Sequence, residues 1–161
     1  MITTLKQLNE VKLRQAQERY KSIPEHLVYT KPLKDKTANE LTTAIKYWCE
    51  HHGFQVSRVN VMGIPKDNRR IVTDVLGFQK QIGTVEYRPS GSTKGASDLS
   101  AIIRGRSVEI EIKVGKDRQS PAQREYQRKV EAAGGVYIIA RSFDDFVDQM
   151  IEVLKSMNIN D

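Results

Sequence analysis

Residues 98–140 constrain the fold of this chain more than any other stretch. Asp98–Ile103 reads DLSAII and Ser107–Val114 reads SVEIEIKV, separated by Arg104-Gly105-Arg106. Two strand-like runs around a short turn containing glycine predict a β-hairpin. The polar segment GKDRQ follows, and then Ser120 stands as a helix cap with Pro121 at the first helical position, a favourable start. Ala122, Tyr126, Val130 and Ala133 line one helical face, which ends at Gly134-Gly135. VYIIA (136–140) is an apolar run short enough for a buried strand. A hairpin followed by a helical crossover to a buried strand predicts an α/β chain with a mixed β-sheet flanked by helices on both faces.

The flanking segments fit that frame unevenly. Residues 4–21 read as a polar helix whose apolar positions fall out of phase, so an arm or partner-binding helix is as good a reading as a core helix. Residues 22–36, with Pro24, Pro32 and the run KPLKDK, read as a linker. This divides the chain into an N-terminal arm and linker (1–36) and a domain (37–161). Thr37 and Glu40 form a capping box ahead of Leu41, Ala44, Ile45, Trp48 and Cys49 at helical spacing, and Gly53 stops that helix. FQVSRVNV (54–61) alternates like a strand. Residues 62–94 are basic and punctuated by glycine and proline, so short strands near 71–76 and 84–88 and a basic loop are equally good readings. Ser142 caps a last helix with an apolar face of Phe143, Phe146, Val147, Met150, Ile151 and Leu154.

Composition excludes some classes. The single cysteine, Cys49, rules out an intrachain disulfide and any multi-cysteine metal site. No apolar run approaches the ~18–20 residues of a membrane span, and the N-terminus turns polar at once, so a cytoplasmic protein is expected. The net charge is +6, unevenly spread: residues 143–161 carry five acids against one base, leaving +10 on residues 1–142. Such a body suits a polyanionic partner or is simply a basic surface.

The strand SVEIEIKV carries the chemistry. Side chains alternate along a strand, so Val108, Ile110, Ile112 and Val114 point one way and Glu109, Glu111 and Lys113 the other. Asp98 opens the neighbouring strand and brings a second carboxylate close to Glu111. Two carboxylates can share a hard cation such as Mg²⁺, which can activate water and stabilise charge on a phosphate. Lys113 adds a fixed positive charge. A solvated E-x-E-x-K face on a half-exposed strand is the plain alternative.

The stretch Gly95-Ala-Ser-Asp98-Leu, then Glu111-Ile-Lys113, then GKDRQSPAQ (115–123) and Ala133-Gly-Gly resembles the VRR-NUC domain, a branch of the PD-(D/E)xK nuclease superfamily. The resemblance spans roughly residues 37–143 and is densest from Gly95 to Ser142. It implies a restriction-endonuclease-like sheet, hydrolysis of DNA phosphodiester bonds, and dependence on Mg²⁺ or Mn²⁺. It assigns Asp98 and Glu111 as metal-binding and catalytic, Lys113 as the catalytic lysine, and the Ile112 carbonyl as a further ligand. Gln123 matches a glutamine after the active strand, and Glu40 an acidic metal residue on the first core helix. Both also have a capping reading, in S-x-x-Q and T-x-x-E boxes. Ser97 departs from the proline usual before the aspartate. Glu109 lies outside the motif. Lys94, Lys116, Arg118 and Arg124 are candidate phosphate contacts, with a solvated surface as their alternative. DNA is the expected partner, read through its backbone. A homodimer on branched or flap DNA, such as a four-way junction, also enters the expectations. The rival is a DNA-binding module that no longer cuts, and an RNA nuclease is remoter.

Overall fold

In the computed structural model, residues 1–59, 64–88 and 93–158 are described. The elements in order are α1 (Leu5–Arg19), a 3₁₀ turn (Glu25–Leu27), α2 (Ala38–His51), β1 (Gln55–Arg58), β2 (Ile64–Asp67), β3 (Arg70–Thr73), β4 (Gln79–Ile82), β5 (Val85–Arg88), β6 (Leu99–Ile103), β7 (Arg106–Ile112), α3 (Pro121–Ala132), β8 (Val136–Ala140) and α4 (Phe143–Asn158). The main sheet runs β1-β6-β7-β8. Its first two pairings are antiparallel and the last, β7 with β8, is parallel. This is the mixed sheet that the hairpin and crossover predict.

Two layers of helices cover it. Leu99, Ala101 and Ile103 of β6 and Val108, Ile110 and Ile112 of β7 enter one core with Ala44, Ile45 and Trp48 of α2 and Phe146, Val147 and Met150 of α4. The opposite face of β7 lies under α3, whose Gln123 reaches Glu111. Capping is local and complete: Thr37 with Glu40, and Ser120 with Gln123, form reciprocal boxes. Ser142 Oγ accepts the amide of Asp145 at 3.1 Å, starting α4.

The N-terminal segment differs from the arm-and-linker reading. Thr4 caps α1 through a box with Gln7. Ile2, Leu8 and Leu33 belong to the same core as the sheet. Trp48 Nε1 donates to the carbonyl of Ile2 at 2.9 Å, and Asn9 holds the backbone of Leu33 through two hydrogen bonds. The physical reason is economy of contact: one narrow stripe on α1, centred on Leu8, is enough to seat it. The rest of the helix stays polar and blurs the periodicity.

Residues 64–88 form one long hairpin rather than a loop. β2 pairs with β5 and β3 with β4, and Asn68 N donates to Thr84 O between them. Asp74 closes the tip by accepting the amides of Leu76 and Phe78. The strands fall at 70–73 and 79–82, with the turn through part of the expected 71–76 strand. β1 covers only 55–58 of the expected 54–61, and Asn60 and Val61 lie outside the described residues.

Two outcomes follow from this packing. Leu8→Ala is expected to lower stability by about 2–5 kcal/mol in urea unfolding, the usual cost of a buried leucine. A detached arm would show almost none of this. Cys49 is fully buried, and burial, aided by Glu50, pushes its thiol up to about 12. It should therefore resist a thiol reagent in native buffer and react stoichiometrically only in denaturant.

Candidate active site

The alternation of β7 places the site. While Val108, Ile110 and Ile112 go into the core, Glu109 and Glu111 face α3. Lys113 follows just past the strand end. Glu111 is 1% exposed and Lys113 7%. Burying such ions is costly unless they are paired and hydrogen-bonded. Here they are: Lys113 Nζ lies 2.9 Å from Glu111 Oε1 and 3.2 Å from Asp117 Oδ2. Gln123 Nε2 donates to Glu111 Oε1 at 2.5 Å, and Tyr137 OH donates to Oε2 at 3.3 Å. Among the described residues no buried side-chain polar atom lacks a partner.

Asp98 completes the pair of carboxylates. Its Oδ2 accepts the amide of Ile112 at 2.9 Å. β6 begins one residue later, so a side chain takes the ladder position that a backbone carbonyl would fill. Lys113 N bonds Ala140 O on the β8 side. Backbone groups of successive strand residues point to opposite edges, so the Ile112 carbonyl is directed toward β6, the side on which Asp98 lies.

The electrostatics follow from burial and proximity. Burial pushes the Glu111 carboxyl up, and the charge of Asp98 pushes it further, while Lys113 and Tyr137 pull it back. Burial alone would lower the Lys113 ammonium, but Glu111 and Asp117 outweigh it and hold the group above its ordinary value. Lys113 is therefore a permanent cation. Burial and then the Glu111 charge raise the Tyr137 phenol, which stays protonated as a donor. The Lys113 hydrogen bond lowers Asp117.

The two readings of Gln123 coexist. Its Oε1 accepts the amide of Ser120 at 2.9 Å as the cap demands, leaving Nε2 to hold Glu111. Glu40 is different. Its Oε2 accepts the amide and hydroxyl of Thr37, both at 3.1 Å, and it lines a groove with Lys12 and Lys34. Among the described residues no cluster of three metal-capable His, Cys, Asp or Glu side chains occurs. Lys94, Lys116 and Arg118 are exposed around the centre. Arg124 is exposed too, and its Nη1 donates to the carbonyl of Gln119 at 2.9 Å, bracing the 115–119 loop against α3.

Sequence reasoning missed two participants, Tyr137 and Asp117. Tyr137 pairs in register with Glu109 and so shares its face, but that face is defined only once β8 is known to lie parallel to β7. Asp117 sits in the polar GKDRQ loop, four residues after Lys113, and carried no periodic signal. Glu109, which lies outside the motif, is 6% exposed and held structurally by hydroxyls. Ser97 Oγ contacts its Oε2 at 2.5 Å, and Ser100 Oγ donates to Oε1 at 2.8 Å.

Lys113→Met should destabilise the fold by about 3–5 kcal/mol at neutral pH, because it leaves the Glu111 charge buried and unpaired. In that variant the folded carboxyl rises further above its unfolded value. The native state then binds more protons than the unfolded one, and stability falls as pH rises through that interval. Relative to the parent, the variant should recover as pH drops toward the ordinary carboxylate range. Glu111→Gln in the same chain should restore part of the loss, as a double-mutant cycle in denaturant would show.

The chain matches no protein-family model and no curated protein sequence, so the chemical reading rests on the arrangement of these side chains.

Proposed function

We propose that this protein is a metal-dependent DNA nuclease hydrolysing phosphodiester bonds, selective for branched or flap structure rather than for sequence. The observation that carries the reading is the buried Glu111–Lys113 pair at a strand end, beside a second carboxylate whose charge Glu111 feels. A purely structural ion pair has no need of that neighbour, which opposes ionisation of Glu111.

The donor set fits Mg²⁺ or Mn²⁺. Asp98, Glu111 and the Ile112 carbonyl are hard oxygen donors, and Mg²⁺ takes one or two carboxylates plus waters and phosphate oxygens. A dication beside them would relieve the repulsion that raises Glu111. When bound, it would acidify a water and offset phosphate charge. The chain's own groups do the rest. Lys113 supplies a positive charge that does not titrate at working pH and would offset the second negative charge that a phosphodiester monoanion gains in its pentacoordinate transition state. Gln123 and Tyr137 hold Glu111 in one orientation, the role of groups behind a ligand. Low local water strengthens each of these interactions. Lys94, Lys116 and Arg118 would take flanking phosphates, giving an affinity that falls with salt.

Among the described residues no helix is long and apolar enough to cross a membrane, and the reading carries with it a cytoplasmic setting and a homodimer presenting two centres to two strands. A monomeric mass by light scattering at micromolar concentration would remove the dimer without touching the chemistry.

A substrate panel of plasmid, flap and four-way junction, with Mg²⁺, Mn²⁺ or chelator, tests the activity. Asp98→Ala and Lys113→Ala should each lower cleavage by about 10²-fold or more. Tyr137→Phe should cost about 10–100-fold. Cleavage that survives in both alanine variants, or in chelator, would exclude this mechanism.

A further inference from the structure

Two adjoining grooves open on the side of the molecule built from α1, the segment 28–34 and α2. One, of about 350 Å³, is lined by Lys12, Arg19, Tyr20, Tyr29 and Lys31. The other, of about 260 Å³, is lined by Lys12, Lys31, Lys34 and Glu40. They share Lys12 and Lys31, so together they form an elongated cleft rather than a cup. Among the described residues no ion pair engages Lys12, Arg19, Lys31 or Lys34, and Lys12 Nζ donates to the carbonyl of Lys31 at 2.6 Å. The carboxylate on this wall, Glu40, is turned into its own cap. Tyr29 is 81% exposed and Tyr20 49%, although rings of this size usually gain by burial. The floor beneath them is fixed: Tyr47 OH donates to Gln15 Oε1, whose amide nitrogen meets His51 Nδ1 at 3.1 Å.

The second groove is tied to the centre by hydrogen bonds. Asn39, on the wall of the second groove, accepts from Arg58 Nη2 at 3.1 Å. Arg58 lies opposite Leu99 in the sheet, and the next amide, Val59, donates to the carbonyl of Asp98 at 2.9 Å.

We propose that this cleft binds an unpaired nucleic-acid strand, its bases on Tyr20 and Tyr29 and its phosphates on Lys12, Arg19, Lys31 and Lys34. It deepens the nucleic-acid reading above and rests on it. Flat exposed rings beside cations that no carboxylate neutralises are the composition of a single-strand platform, where stacking is indifferent to sequence and phosphate contacts track the chain. A duplex keeps its bases stacked inside and offers the rings nothing. Such a strand would be the single-stranded arm of a branched substrate, held while the junction lies at Asp98 and Glu111.

The test is fluorescence anisotropy in chelator, so that cleavage plays no part. The probes are a labelled oligothymidylate and a mixed-sequence duplex of the same length. Tyr20→Ala with Tyr29→Ala should weaken the oligothymidylate by about tenfold or more and the duplex by less than about twofold. Tyr20→Phe with Tyr29→Phe should bind like the parent, which separates loss of the rings from loss of fold. Arg19→Gln with Lys31→Gln should flatten the salt dependence of strand binding by about one log unit per log unit of salt. Unchanged strand binding in the alanine pair, equal loss for strand and duplex, or no binding by the parent would each overturn the proposal. The two readings fail separately. A tyrosine effect without cleavage of any substrate leaves the cleft and removes the nuclease. Cleavage with no tyrosine effect does the reverse.

Discussion

A carboxylate with almost no access to water is the constraint around which this molecule is arranged. Glu111 is accommodated in that position because four separate parts of the chain each bring it something. The strand end contributes Lys113, the first turn of α3 contributes Gln123, and β8 contributes Tyr137. The 113–117 loop contributes Asp117, which steadies the lysine. A buried ion must beat its desolvation cost with good geometry. That requirement ties the order of β7, α3 and β8 to the site as firmly as the aliphatic core does from the other face.

Glu109 shows what a different set of neighbours makes of the same residue type on the same face. It is met by neutral hydroxyls from Ser97, Ser100 and Ser107. It pins the residue before Asp98 to β7 and leaves its oxygens occupied. Glu111, two residues on, faces a cation and another acid. One strand thus carries a carboxylate that fastens and a carboxylate set between a cation and a second acid.

The central region was legible because its signals are local. Alternation in SVEIEIKV, the S-x-x-Q box at Ser120 and the short apolar run VYIIA each declare an element without reference to the rest of the chain. The adjacency of Asp98, Glu111, Ile112 and Lys113 follows once the hairpin is recognised. Features settled by distant partners were not legible. α1 joins the core through Leu8, flanked by the half-buried Leu5 and Val11, and Trp48 Nε1 donates to the carbonyl of Ile2 just ahead of it, too few contacts to impose a strong helical period. In the hairpin of residues 64–88, Ile71, Val72, Leu76 and Phe78 all remain exposed, so no buried face existed to write an alternating pattern. Tyr137 became visible only through parallel register. Glu40 ran the other way: its cap accounts for it fully, and the structure keeps it with Thr37.

Gly95 gives the site a mechanical character. Its φ of +82° is one that glycine tolerates, and a side chain there would lie 2.4 Å from the carbonyl of Ala122 in the first turn of α3. The loop that delivers one acid and the helix that orients the other are thus pressed together with no atom to spare. Neither can slide past the other, so the two halves of the pocket are displaced together or not at all. Variation that loosens the sheet edge would have to be matched on the helix, and a single added methyl group at this point would pry both apart at once.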